Sequence, residues 1–237
     1  MENNTRKYLF NWEKISLLEV TGKDAKDFLH RLSTVSFKQH LSIPIYGAFL
    51  NGQGKLISLF TAFETAQDQI QLFVEPSMLS ATQKYLEQMH FSEDLKIAVQ
   101  PKFCLEFRNE KASRPEAISA YNWGIPGFYL FTDSPIDTKQ FSDYRILSQE
   151  KFDALRAQYG FAKPLQDLTN DHLLLEAGLE DWIDRNKGCY PGQEVVEKIY
   201  TYGRLPRKIT RVTFSKKLDV AIPFPIEVHD ESVGIIT

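Results

Sequence analysis

Apolar residues dominate the short run Ile15 to Val20, which predicts a strand that Gly22 ends. A helical period follows. Ala25, Phe28, Leu29 and Leu32 recur at helical spacing behind Asp24, a residue type suited to a helix amino terminus. Strands are predicted at 46–50, 55–63 and 69–74, the first two joined by the turn Asn51-Gly52-Gln53-Gly54. Glu75-Pro76 opens a predicted helix that runs through Met89 and buries Leu79, Tyr85 and Leu86. Two short strands follow at 95–99 and 103–107 around Pro101, then a charged loop at 109–115 and a strand at 127–131. An amphipathic helix is predicted at 148–159, closed by Gly160. Hairpins mixed with single helices favour an α+β fold over a doubly wound parallel sheet. Beyond residue 206 the pattern becomes three short strands at 207–214, 224–228 and 233–236, the last meeting Thr237 in mid-strand. A body of 1–205 and a small β unit of 206–237 are therefore expected.

Composition narrows the class. The chain has 237 residues with 43% hydrophobic character, enough to bury a core without metals or disulfides. Its 28 basic and 31 acidic side chains give a net charge of −3, which argues against a protein that coats duplex nucleic acid. No stretch approaches the ~18 apolar residues of a membrane span, and the opening MENNTRKYLFNWEK has no signal-peptide core. Cys104 and Cys189 are the only cysteines. They imply no disulfide framework and cannot supply the thiolates of an iron–sulfur cluster or a Cys₄ zinc site. His30, His40, His90, His172 and His229 show no metal-ligand spacing. The expectation is a cytoplasmic globular protein without a metal of its own.

Chemistry concentrates in Lys187-Gly188-Cys189-Tyr190-Pro191-Gly192-Gln193-Glu194 and the residues after it. Pro191-Gly192 suits the centre of a type II turn. From Gln193 a helix is predicted, with Val195, Val196 and Ile199 on one face and Glu194 able to pair with Lys198. Cys189 then precedes a helix amino terminus near Arg185 and Lys187, a field that favours thiolate. A cysteine packed inside a structural turn fits the same spacing, and the residues alone leave both readings open. Arg204, Arg207, Lys208 and Arg211, with Tyr200 and Tyr202 interleaved, fit either a polyanion contact or a solvated connection. Direct nucleic-acid binding is not favoured.

The octapeptide together with Lys198 resembles the signature of the YgfZ-type, glycine-cleavage-T-like folate-binding protein family. Residues 18–29, the stretch Gly47 to Lys55, and Leu175-Glu176-Ala177-Gly178 resemble further landmarks of that family. The resemblance implies two interleaved subdomains, one ferredoxin-like, around a central folate channel, with a C-terminal β-barrel that here is shortened or truncated. It implies tetrahydrofolate or a one-carbon derivative as ligand, and iron–sulfur client or assembly proteins as partners, with an indirect role in tRNA modification. On this view Cys189 with Lys187 forms the reactive pair. Glu176 would read the pterin, joined in the folate site by Gly188, Tyr190, Gly192, Gln193, Glu194 and Lys198. Where the aminomethyltransferase relatives carry a catalytic carboxylate, this chain has Ile57 and Ser58. A hydroxyl cannot hold the charge or proton of that step, so true glycine-cleavage activity is not expected. Some members stack folate on tryptophans where Ile15 and Asn170 stand here, with Trp12 and Trp182 nearby but out of register. The competing functions are a one-carbon transferase and a scaffold that has lost its ligand.

Overall fold

A computed structural model describes residues 6–216, 221–228 and 231–237; His229 lies outside them. Strand β1 (Tyr8–Thr21) is paired along its whole length with β5 (Lys96–Arg108). Around this ribbon lie β2 (Ile45–Leu50), β3 (Leu56–Ala66), β4 (Gln69–Val74), β6 (Ile118–Ser119), β7 (Gly127–Thr132) and β8 (Arg145–Leu147). The sheet has eight strands in the order β2-β3-β4-β1-β5-β7-β6, with β8 parallel to the start of β1. One edge of β1 thus serves two neighbours in turn: β8 along Tyr8–Phe10 and β4 along Leu18–Thr21.

The first strand begins seven residues before the expected one, and a bulge explains why. Trp12 is the extra residue between the pairs Asn11–Leu105 and Glu13–Cys104, and Glu13 takes a positive φ of 56°. Phe10 and Trp12 therefore face inward at even positions, while Ile15 and Leu17 face inward at odd ones. Likewise β5 is one strand, not two. Pro101 pairs with Ser16 on one side, and β7 ends opposite Phe103, so the proline faces no second neighbour. A residue without an N–H is tolerated at such an edge.

Helix α1 (Ala25–Leu32) buries Phe28, Leu29 and Leu32 against the outer sheet face, each worth about 1.5–3 kcal/mol of transfer free energy. Asp24 does not cap it; its carboxylate accepts from the Asp94 N–H at 2.7 Å. The helix expected from Glu75-Pro76 is a 3-10 turn (Pro76–Met78) leading into α2 (Leu79–Met89), started by the Glu75 carboxylate on Ser77 N–H. Helix α3 (Gln149–Gln158) has Ser148 at its cap and Gly160 at φ 71° beyond its end. Helix α4 spans Gln193–Tyr202.

The sheet curls until its two edges meet. On β2, the Tyr46 hydroxyl donates to Ser119 O of β6 at 3.2 Å and accepts from Tyr121 N–H at 2.8 Å. Inside the curl lie the cluster of Ile15, Leu17, Phe63, Phe73 and Tyr129 and, beside it, that of Phe10, Trp123 and Phe152. The strand expected at 207–214 is irregular chain instead. It is held by hydrogen bonds to the body rather than to a ladder: Ile209 N–H donates to Glu176 O at 2.7 Å. Beyond it β9 (Phe224–Val228) and β10 (Glu231–Ile236) form an antiparallel hairpin. Among the described residues no helix is long and apolar enough to cross a membrane.

Because one phenol closes the curl, Tyr46→Phe is expected to cost about 1–2 kcal/mol, read as a lower urea midpoint with an unchanged slope.

Candidate functional site

The curled sheet and α3 enclose a cavity of ≈ 280 Å³. Its sheet side presents Trp12, Thr61, Phe73, Glu106 and Tyr129, and the opposite side Trp123, Phe152, Phe161 and Trp182. The rings form a continuous chain. Trp12 meets Phe152 at 5.5 Å between centroids, Phe152 meets Trp123 at 5.1 Å, and Trp182 meets Phe161 at 6.1 Å and Tyr46 at 5.5 Å. All three tryptophans of the chain line this one space. The two expected out of register reach it by the bulge at Trp12 and the 3-10 turn Glu180–Trp182, whereas Ile15 is packed in the inner core.

Alternation along β5 sends Cys104, Glu106 and Arg108 inward and Leu105 and Phe107 into an outer cluster. Arg108 Nε donates to Glu106 Oε1 at 2.6 Å, and its Nη2 completes an ion pair with the same oxygen. The indole of Trp12 donates to Glu106 Oε2 at 2.7 Å. Arg108 is held further by Asn122 Oδ1 at 2.8 Å and the Tyr129 hydroxyl at 3.3 Å, and it lies 4.1 Å from the Trp123 ring centroid. Burial works against the guanidinium charge, but the Glu106 carboxylate outweighs it and holds the Arg108 pKa above its ordinary value. At the rim, Lys163 pairs with Asp153 at 2.8 Å and Arg156 with Asp167 at 3.1 Å. Glu106 and Arg108 belong to no motif of the sequence. The signal is two opposite charges two residues apart within the apolar run that ends β5, Phe103 to Arg108.

The octapeptide lies elsewhere. Gln193 N–H donates to Tyr190 O at 3.2 Å and Gly192 has φ 82° and ψ 0°, the geometry expected of a type II turn. That turn docks on the β2–β3 turn. A Cβ on Gly192 would fall 2.6 Å from Asn51 O and 2.7 Å from Gly54 Cα, and one on Gly54 would fall 2.9 Å from Val195 Cβ. Tyr190 and Val196 are buried in the outer core. Lys187 is buried too. Its Nζ donates to His30 O at 2.5 Å and Ser33 O at 2.7 Å, so it caps the carboxyl end of α1. Burial pulls its pKa down to about 8, against the opposing influence of Asp184 and Cys189.

Gly188, Cys189, Glu194 and Lys198 are exposed, and Gln193 is half-buried. Glu194 and Lys198 do not pair; the ion pair on this helix joins Glu197 to Arg185 at 2.7 Å, and Arg185 also stacks on Tyr200. None of the octapeptide residues, nor Glu176, lines the central cavity. Glu176 is buried in the 3-10 turn Leu174–Ala177, where it accepts from Leu173 N–H at 2.9 Å and from Arg207 Nε at 3.2 Å. Within the basic cluster, Arg207 is thus engaged by Glu176 and Asp171 O, Arg211 bonds Gln158 O, and Arg204 and Lys208 are exposed. Ser58 is fully buried and is absent from the cavity lining, to which its strand neighbours Leu59, Phe60 and Thr61 contribute.

No family model matches the chain. Over 86 residues it is 34% identical to a chloroplastic protein of Arabidopsis thaliana provisionally named a transferase, a stretch covering 36% of this chain and 19% of that protein. In three dimensions it is similar to the glycine cleavage system aminomethyltransferase T from Bartonella henselae, with a TM-score of 0.69 and 17% identity. That match covers 84% of this chain and 65% of the Bartonella chain. The fold is that of the aminomethyltransferase T proteins.

The docked turns predict a sharp contrast between two glycines of one motif. Gly192→Ala is expected to cost roughly 2–4 kcal/mol, from the left-handed backbone and the contact with Asn51 and Gly54. Gly188→Ala, with nothing within 4 Å of the added carbon, should cost about 0.5 kcal/mol or less. Urea unfolding of the two variants tests this.

Proposed function

We propose that the chain is a tetrahydrofolate-binding accessory protein of the YgfZ type, serving iron–sulfur cluster assembly or repair and, through cluster enzymes, tRNA modification. The observation that carries the folate part is the aromatic cavity at the centre of the curled sheet, with one buried carboxylate on its wall. Its volume is near the low end of small-molecule sites, about 300–1,000 Å³, and suits a flat ring system whose tail leads out past the rim. Stacking between aromatic walls and a buried hydrogen-bond acceptor are what a pterin requires. The cluster part rests on the octapeptide, which leaves Cys189 at the surface where a client protein can reach it. The cluster belongs to the client, in keeping with two cysteines here. A one-carbon transferase has the fold in its favour, but Ile57 and the buried Ser58 offer no carboxylate for its proton step.

Because every tryptophan lines the cavity, titration with tetrahydrofolate is expected to change the intrinsic fluorescence saturably. No change in emission together with no heat of binding overturns the folate reading. In a deletion strain, Cys189→Ser is expected to leave the protein folded at wild-type abundance while client cluster enzymes lose activity. Full client activity in that strain rejects the cysteine's role.

A further inference from the structure

The basic stretch that follows α4 lines neither the cavity nor the cysteine turn. Residues 198–217 hold seven of the chain's 28 basic residues and none of its 31 acidic ones. Beyond α4 the stretch is irregular chain, and its odd positions grip the body. Leu205 and Ile209 pack against the outer core, Arg207 pairs with Glu176, and Arg211 bonds Gln158 O. The even positions Arg204, Lys208, Val212, Phe214 and Lys216 are exposed, and among the described residues no carboxylate pairs with these three cations. This is the period of an extended strand that has no neighbouring strand. The main chain shows the same sidedness. Ile209 N–H goes to Glu176 O at 2.7 Å, whereas the amides of Lys208, Thr210 and Val212 have no partner among the described residues.

Free amides beside unpaired cations form an open strand edge, and the cations decide what can add to it. A second copy of the stretch would set like charges opposite one another, while an acidic strand would set complementary ones there. Nucleic acid offers phosphates but no peptide ladder, and the acid surplus of the rest of the chain repels a long polyanion. We propose that residues 204–216 are a docking edge for an extended acidic peptide of a partner protein, which adds to them as a strand. Val212 and Phe214 give that strand its apolar contact. The proposal goes beyond the folate reading, and neither depends on the other.

The test titrates the full chain against a fluorescent peptide of about ten residues, glutamate alternating with valine, and reads anisotropy. Binding is expected. N-methylation of alternate peptide amides keeps the charge and removes the ladder, so it is expected to weaken binding by about tenfold or more. Arg204→Glu with Lys208→Glu is expected to weaken it by a similar factor. If circular dichroism shows that this variant does not fold, Arg204→Gln with Lys208→Gln replaces it and must still lose about threefold or more. No binding of the peptide, equal binding of its N-methylated form, or affinity unchanged by loss of both cations overturns the proposal. Tighter binding of an oligouridylate than of the peptide overturns it in favour of nucleic acid. A dimer in sedimentation that the peptide dissolves overturns it in favour of a second copy.

Discussion

Antiparallel pairing of β1 with β5 from Tyr8 to Thr21 constrains everything built around it. The ribbon is shared by both ends of the sheet, and its inner side carries Trp12, Glu106 and Arg108. A slip of one residue would exchange Glu106 and Arg108 with Leu105 and Phe107 and drive a charge pair into the outer apolar cluster. Buried charges without their partners cost several kcal/mol, so register and ion pair enforce one another. The bulge at Trp12 supplies the remaining adjustment. It bends the ribbon so that Trp12 meets Phe152 of α3 across the cavity, while Ile15 packs inside the sheet.

The octapeptide and the first turns of α4 after it divide by face. Lys187, Tyr190, Gly192 and Val196 hold α4 and the turn before it against α1 and the β2–β3 turn, and their roles are mechanical. Gly188, Cys189, Glu194 and Lys198 look outward. A signature that reads as one chemical unit in sequence is therefore a buried staple with an exposed edge. Whatever Cys189 meets must come from solvent or from another protein, because the cavity is lined by other residues.

Elements with a single unbroken period are legible in the sequence. The helices near Phe28 and Phe152, the hairpin at Asn51 to Gly54 and the type II turn at Gly192 all came from short-range rules that tertiary contacts reinforced. Features set by long-range pairing were not. The beginning of β1 was hidden because the bulge reverses the phase of alternation inside one strand. Pro101 looked like a break because sequence does not reveal that one side of β5 has no neighbour there. The short β8 exists only through its pairing with β1, and residues 207–214 have strand-forming composition but are claimed by Glu176 and Gln158. Motifs mark the octapeptide and Glu176, which lie outside the cavity, and not Glu106 and Arg108, which line or flank it. Their meaning depends on the tryptophans and the loop residue Asn122, which the curl of the sheet brings to them.

The contact between Gly192 and Gly54 ties two stretches that lie far apart in the chain. A side chain on Gly192 would strike Asn51 O and Gly54, and one on Gly54 would strike Val195 in the first turn of α4. The hairpin tip and the cysteine turn therefore behave as one hinge plate machined in two halves. Drift at one half is checked mechanically by the other, whatever ligand or client the protein serves.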